Sequence, residues 1–179
     1  MKSTVVAGVC LVLVIGVCGC AREKNRTKSV NPHTMAFTKA GVSLIVGDEW
    51  QCSNLEPEHA LLPPTLISPA GRIRVMLLPP DRSDPAAVAD ALRASFEGNP
   101  QAARHSFRRQ EMVGTNGLRM ICISYLQQSD LDGQLKELQR REYLVKNRSG
   151  RCVAINYSAE PGSDADSVHW MIQRTLALQ

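Results

Sequence analysis

Cysteines are the side chains in this sequence whose spacing most suggests chemistry. Three of the six lie near the amino terminus, where Cys18 and Cys20 form a C-x-C pair preceded by Cys10. Thiolates at such spacing can bind a metal or exchange a disulfide. The pair, however, ends an almost uninterrupted apolar run from Thr4 to Gly19, with no histidine or carboxylate nearby. This context disfavours both a metal site and a redox pair.

The apolar run has the layout of a targeting segment. Lys2 precedes it and supplies a positive charge, and small residues lie near its end. A membrane-spanning helix needs about 20 apolar residues, which is more than this run provides. The sequence therefore predicts a secretory signal peptide over residues 1–19, with a retained, uncleaved anchor as the alternative.

The end of the run resembles the lipobox of bacterial lipoproteins. Val17, Cys18, Gly19 and Cys20 match its order of an aliphatic residue, a small residue, glycine and cysteine. The resemblance implies that a thioether-linked diacylglycerol is added to Cys20, that the chain is cut before it, and that the new amino group is usually acylated. It also implies, through Ala21 in place of an aspartate, sorting to the outer membrane facing the periplasm.

The remaining cysteines and histidines do not form a recognisable catalytic set. The sequence contains no G-x-S-x-G, H-E-x-x-H, Walker, G-x-G-x-x-G or C-x-x-C motif. Cys52, Glu58 and His59 could in principle ligate a metal, but they lie in or beside a proline-rich segment typical of a surface loop. We therefore expect no enzyme activity, and no catalytic, cofactor-binding or metal-binding residues.

Three cysteines follow Cys20, an odd number for a compartment that permits disulfides. Cys122 and Cys152 fall on strands that a meander would separate by a third strand. That arrangement places them about 10 Å apart, too far for a disulfide. A bridge from Cys52 to either remains open, and free buried thiols are favoured.

The charge balance of the predicted domain argues against nucleic-acid binding. From Thr34 onward 16 basic residues balance 16 acidic ones, and the excess lies in the basic segment before it. The pairs Arg108-Arg109 and Arg140-Arg141 are predicted to lie on solvated strand faces. Residues 20–33 are polar, basic and aperiodic, so we expect a lipidated cysteine and flexible tether, followed by a single domain over 34–179.

Two amphipathic helices are predicted in that domain. Asp84 can cap the first, Pro85 fits its first position and Gly98 ends it. Ser163 or Asp164 can cap the second. The predicted buried stripes are Val88, Leu92 and Phe96 in the first helix, and Val168, Ile172 and Leu176 in the second.

The rest of the domain is predicted to be mainly antiparallel strands. An Asn-Gly turn at Asn116 joins two of them, and the second is apolar on both faces, as in a strand covered on both sides. The segment 131–138 has leucines at helical spacing, but it runs into a clear strand, so 137–146 is interpreted as a strand in a hairpin. Other predicted strands are Ala36–Thr38, Val42–Val46, Thr65–Ser68 and Arg72–Leu78.

This order of elements resembles the PsbP-like superfamily, of the DcrB/PsbP type. The resemblance covers residues 36–178 through "GVSLIVGDEW", "DPAAVADALRASF", "GLRMICISYL", "REYLVKNRSGRCVAINYSAE" and "SVHWMIQRTLAL". It departs from the family's usual P-x-G-W opening before Trp50. The resemblance implies an α+β fold, an antiparallel sheet flanked by helices as an αβα sandwich. It carries no shared catalytic residues and implies protein binding.

The leading functional hypothesis is a non-catalytic, lipid-anchored cell-envelope protein that binds another protein or supports an assembly. Its expected contacts are the membrane, through Cys20, and a protein partner, with no nucleic acid and no cofactor. The alternative is a small-ligand binding module that uses a groove between the sheet and the loop Ser53–Pro64. A hydrolase or metal enzyme without a recognisable motif is the third hypothesis.

Overall fold

A computed structural model of the chain describes residues 32–53, 63–98, 107–131 and 134–179. Within these ranges the chain forms ten strands and two α-helices, and every paired strand is antiparallel. The predicted α+β class is confirmed. The elements are β1 (His33–Phe37), β2 (Val42–Val46), β3 (Gln51–Ser53), β4 (Thr65–Ser68), β5 (Gly71–Leu77), α1 (Pro85–Glu97), β6 (Arg108–Val113), β7 (Arg119–Leu131), β8 (Gln134–Lys146), β9 (Cys152–Ala159), α2 (Ala165–Thr175) and β10 (Ala177–Leu178).

A seven-stranded sheet forms the centre of the fold, with strand order β3-β4-β5-β9-β8-β7-β6. The insertion of β9 between β5 and β8 is the one step in this order that does not follow the chain. A separate three-stranded sheet has the order β1-β2-β10. None of the helices in the described ranges is long and apolar enough to cross a membrane.

One face of the large sheet is closed by α2 and the small sheet, and it carries the main core. Alternate residues of β5, β9 and β8 point into this layer, as the pleat of a strand requires. The predicted stripe of α2 is confirmed, since Val168, Ile172 and Leu176 are all buried. The largest completely buried side chains of this core are Tyr143, Tyr157, Leu44, Leu66, Ile73, Ile155, Ile172 and Leu176.

The opposite face of the sheet is covered only in part, by α1. Ala89 is the one fully buried residue of this helix, and Val88, Leu92 and Phe96 of the predicted stripe are only half-buried. The helix thus approaches the sheet through a small side chain between the larger ones. The second core below it consists of Ala89, Ile121, Ile123, Leu144, Cys152 and Ala154.

Both helices begin where the sequence predicts. The Asp84 carboxylate accepts hydrogen bonds from the backbone N–H groups of Ala86 and Ala87. The Asp164 carboxylate accepts one from the Ser167 backbone N–H, and hydrogen bonding by the Ser167 side chain, followed by this backbone bond, lowers the pKa of Asp164. Such caps supply acceptors for N–H groups that the first helical turn leaves unpaired.

A tyrosine–histidine pair couples α2 to the sheet. The Tyr143 hydroxyl lies 2.9 Å from His169 Nδ1, and it donates when that nitrogen is unprotonated. Burial, followed by the positive charge of Arg141, lowers the pKa of His169 below its ordinary value, although Asp166 opposes the shift. The folded state therefore favours the neutral imidazole.

We expect this pair to make the fold less stable in mild acid. The ordinary pKa of a histidine side chain is 6.5, and below this pH the unfolded chain binds a proton at His169 more readily than the folded chain does. Stability should fall as pH drops from 7.5 to 5.5, by at most about 1.4 kcal/mol per pH unit from this group. Urea unfolding at the two pH values should show a smaller difference in His169→Gln. An undiminished difference in that variant would contradict the assignment.

Candidate binding surface

The partly covered face of the large sheet, called the open face below, is the candidate functional surface. It carries the residues of β5 that alternate with the buried Ile73 and Val75, namely Arg72 and Arg74. Both arginine side chains are exposed. Beyond the edge of α1 the open face forms two adjoining clefts, and Asn156 of β9 lines both of them.

The first, the basic cleft, has a volume of about 580 Å³ and lies over β5, β9 and β8. Its floor is a cross-strand row in which Arg72 pairs with Ser158, and Ser158 pairs with Arg140. In the next row Arg74 pairs with Asn156. Three arginines from two strands thus surround the polar side chains of β9.

These arginines have no acidic partner in the part of the chain that the structure describes. Arg72, Arg74 and Arg140 form no ion pair with any residue in the four described ranges. Glu160 also lines the cleft, but its carboxylate lies 2.9 Å from Lys136 Nζ. Among the described residues, the positive charge of these three arginines is therefore not neutralised by an ion pair.

Two buried polar atoms in the basic cleft lack hydrogen-bond partners among the described residues. They are the donor Arg140 Nε and the acceptor Asn156 Oδ1. An unsatisfied buried polar group costs about 1–3 kcal/mol, so native proteins leave few of them. A donor and an acceptor left open on the floor of one cleft are available to hydrogen-bond a ligand or an ordered water.

The second, the helix cleft, lies between α1 and the sheet and measures about 690 Å³. Its floor is Leu144 and Ala154, and its polar lining residues are Asp81, Arg82, Ser95, Glu142 and Asn156. The Tyr125 hydroxyl donates a 2.6 Å hydrogen bond to Glu142, and burial followed by this carboxylate raises the pKa of Tyr125. The apolar wall consists of Met76, Leu78, Val88, Ala91 and Leu92.

The prediction that Arg140 and Arg141 lie on solvated strand faces is wrong for Arg141. Consecutive residues of a strand point to opposite faces. Arg140 therefore lines the basic cleft, whereas Arg141 reaches α2, where it donates to the Ala165 carbonyl at 3.0 Å and to Asp166 at 2.6 Å. The Arg141 side chain is only 14% exposed. Of the other predicted pair, Arg109 forms an ion pair with Asp90 of α1.

The described cysteines supply no reactive thiol. Cys52, Cys122 and Cys152 are free. As expected, β8 separates Cys122 from Cys152, and the two also belong to cores on opposite faces of the sheet. Burial raises the pKa of both thiols to about 11, which keeps them protonated at neutral pH.

Other sequence predictions fall outside the described ranges or gain no support there. Cys20, the signal peptide and residues 54–62, which include Glu58, His59 and most of the Ser53–Pro64 loop, are not described. Within the four described ranges, no group of three or more histidine, cysteine or carboxylate side chains is placed to hold a metal. The basic cleft could not be predicted from the sequence, because the arginines that line it lie far apart along the chain.

Comparison with solved structures identifies the fold. The chain is similar to the solution structure of the cyanobacterial PsbP protein, CyanoP, from Synechocystis sp. PCC 6803, with a TM-score of 0.53 and 10% identity over 92% of this chain and 99% of that one. It is also similar to the crystal structure of the Saccharomyces cerevisiae Ran-binding protein Mog1p, with a TM-score of 0.52 and 11% identity over 84% and 96% of the two chains. The predicted PsbP-like fold is confirmed.

A crystal structure from Bacteroides thetaiotaomicron VPI-5482 is similar as well, with a TM-score of 0.51 and 14% identity. The alignment covers 82% of this chain and 48% of that one. No protein-family model matches the sequence, and no curated protein is detectably similar to it. At these identities the likeness extends to the fold alone.

Proposed function

We propose that this protein is a non-catalytic binding module, anchored by lipid on Cys20 to the bacterial cell envelope, which holds a protein partner on its open face. The observation that carries the proposal is the basic cleft, where three arginines without described acidic partners surround unsatisfied polar atoms. Side chains of this kind bind and orient a partner. A PsbP-like fold in Mog1p, a Ran-binding protein, is consistent with such a role.

The lipid anchor rests on the lipobox resemblance at Val17 to Cys20. A single acyl chain holds a protein to a membrane only marginally, so two or three chains on Cys20 would be needed for stable attachment. Ala21 supports sorting to the outer membrane, with the domain facing the periplasm. A binding module held there would meet its partner at the membrane surface.

Replacing Cys20 with alanine is expected to abolish lipidation and, with it, cleavage before residue 20. Labelling of cells with radioactive palmitate should mark the wild type but not Cys20→Ala, and intact mass should show loss of residues 1–19 plus a lipid adduct in the wild type only. Cys18→Ala is the matched control, because the resemblance places Cys18 in the discarded segment. A soluble, unlabelled wild-type protein would contradict the proposed lipid anchor.

The proposed binding face can be tested by photo-crosslinking in cells. A crosslinking amino acid at Ile67, which lines the basic cleft and is 41% exposed, should give a discrete adduct with another protein. The same amino acid at Trp170, which is 53% exposed on α2, is the control position. Equal adducts from both positions, or none from Ile67, would count against the open face as the binding surface.

A small-ligand module is the second candidate, and the helix cleft favours it. An apolar wall with a few polar groups is the usual form of a site for a small amphipathic molecule. Filling the cleft by Ala91→Trp should then abolish thermal stabilisation by such a ligand. The same substitution should leave the Ile67 crosslink intact if a protein binds the basic cleft.

A further inference from the structure

We infer that the basic cleft recognises an extended polypeptide segment that carries carboxylates at alternate residues. This inference rests on the proposed protein-binding function and names the chemistry of the partner. The cleft offers three cationic side chains, Arg72, Arg74 and Arg140, to a ligand on the open face. Guanidinium groups match carboxylates in shape and charge, and they can form two parallel hydrogen bonds to each.

The spacing of the arginines matches an extended chain. Arg72 and Arg74 are two residues apart on β5, a separation of about 7 Å along a strand. Alternate side chains of an extended peptide repeat at the same distance. Arg140 lies across β9, two strand spacings or about 10 Å from Arg72. Cations rooted this far apart suit several separate anionic groups better than a single one.

The unsatisfied atoms on the cleft floor match a ligand that supplies both donors and acceptors. Asn156 Oδ1 needs a donor, and Arg140 Nε needs an acceptor. A peptide supplies N–H donors from its backbone and acceptors from its carbonyls and carboxylates. A phosphodiester group supplies acceptors alone and would leave Asn156 without a partner. These atoms therefore favour an acidic polypeptide, whose backbone repeats both donors and acceptors, over a phosphate group alone.

The rim of the cleft also suits a polypeptide. The exposed Ile67 offers an apolar contact beside Arg72, its cross-strand neighbour on β5. Among the described residues that line the cleft, Glu160 alone carries a carboxylate, and this carboxylate is paired with Lys136. An acidic segment can thus bind without meeting a free negative charge among the lining residues.

The test is a titration of the full-length protein in nonionic detergent with two fluorescent peptides. One alternates glutamate with serine over eight residues, and the other replaces each glutamate with glutamine. We expect measurable binding of the glutamate peptide alone, weakened by salt.

Arg72→Gln combined with Arg140→Gln should raise the Kd of the glutamate peptide at least tenfold. The matched control, Arg119→Gln combined with Arg148→Gln, changes two exposed arginines outside the cleft and should shift Kd less than twofold.

The outcomes separate this inference from the proposed function. Equal binding of the two peptides, or equal weakening in the cleft and control variants, would overturn the inference. Tighter binding to phosphatidylglycerol vesicles that the cleft variant also loses would assign the arginines to lipid instead. If the Ile67 crosslink to a protein survives Arg72→Gln and Arg140→Gln, the inference fails while the binding function stands. If the glutamate peptide binds as expected but Ile67 gives no adduct in cells, the proposed function fails.

Discussion

Replacing Gly71 with alanine is expected to lower the free energy of unfolding by about 3–5 kcal/mol. Gly71 has a φ of 133°, a conformation that L side chains rarely adopt. A Cβ there would lie 2.5 Å from the Ser158 carbonyl oxygen and 2.9 Å from a ring carbon of Tyr157. Both neighbours belong to the central strand β9, and the Tyr157 hydroxyl donates to the Ala70 carbonyl beside the glycine. Neither can retreat without moving the sheet.

Gly117→Ala is the matched control for this effect. Gly117 also has a positive φ, 79°, but a Cβ there would meet no atom within 4 Å. Only the backbone conformation is then penalised, at about 1–2 kcal/mol. Urea unfolding of both variants checks the difference between them. Equal losses would mean that the close approach of β9 to the β4–β5 turn is absent.

The same turn determines the shape of the basic cleft. Gly71 lines the cleft beside Arg72, and its close contact with Ser158 holds β5 in register with β9. A displaced turn would move Arg72 relative to Arg140 across the cleft. Gly71→Ala should therefore weaken binding of the glutamate peptide even at temperatures where the variant stays folded. Comparing the unfolding curve with the peptide titration distinguishes unfolding of the protein from damage to the cleft.

Local features of the fold were predictable because local chemistry determines them. The strands Val42–Val46 and Thr65–Ser68 have the predicted bounds, since β-branched residues bordered by glycine or proline signal a strand without reference to the rest of the chain. The caps at Asp84 and Asp164 follow from side-chain acceptors placed before apolar repeats. The leucines at the start of β8 have helical spacing, but the segment forms a strand because it pairs with β7 along its whole length.

The candidate site was not predictable in the same way, because it depends on strand order. Nothing near Arg72 or Arg74 in the sequence indicates that they face Arg140, which lies 66 or more residues away. They meet because β9 inserts between β5 and β8, and that pairing is a property of the whole sheet. The alternation of side chains along a strand means that Arg140 and Arg141 point in opposite directions. Which of the two is covered by α2 depends on how the helix packs on the sheet.

Replacing Asn147 with leucine is expected to cost about 2–4 kcal/mol of stability, although leucine adds apolar surface. Asn147 is only 9% exposed, and its amide joins the two sheets at the β8–β9 turn. Its Nδ2 donates to the Ala40 carbonyl at 3.0 Å, and its Oδ1 accepts from the Arg151 backbone N–H at 2.9 Å and the Ser149 hydroxyl at 2.7 Å. The leucine variant removes the donor to the buried Ala40 carbonyl and the acceptor for the half-buried Arg151 N–H, and thermal or urea unfolding measures the loss.

Asn156→Leu makes the same chemical change at a polar side chain that the fold does not satisfy. Its buried Oδ1 has no partner among the described residues, so removing it relieves a penalty and should leave stability unchanged or raise it by up to about 1 kcal/mol. Binding of the glutamate peptide should fall in this variant and stay unchanged in folded Asn147→Leu. Opposite effects of one substitution on stability and binding would show that Asn147 serves the fold and Asn156 serves a ligand. Equal destabilisation of both variants would instead make Asn156 a structural residue.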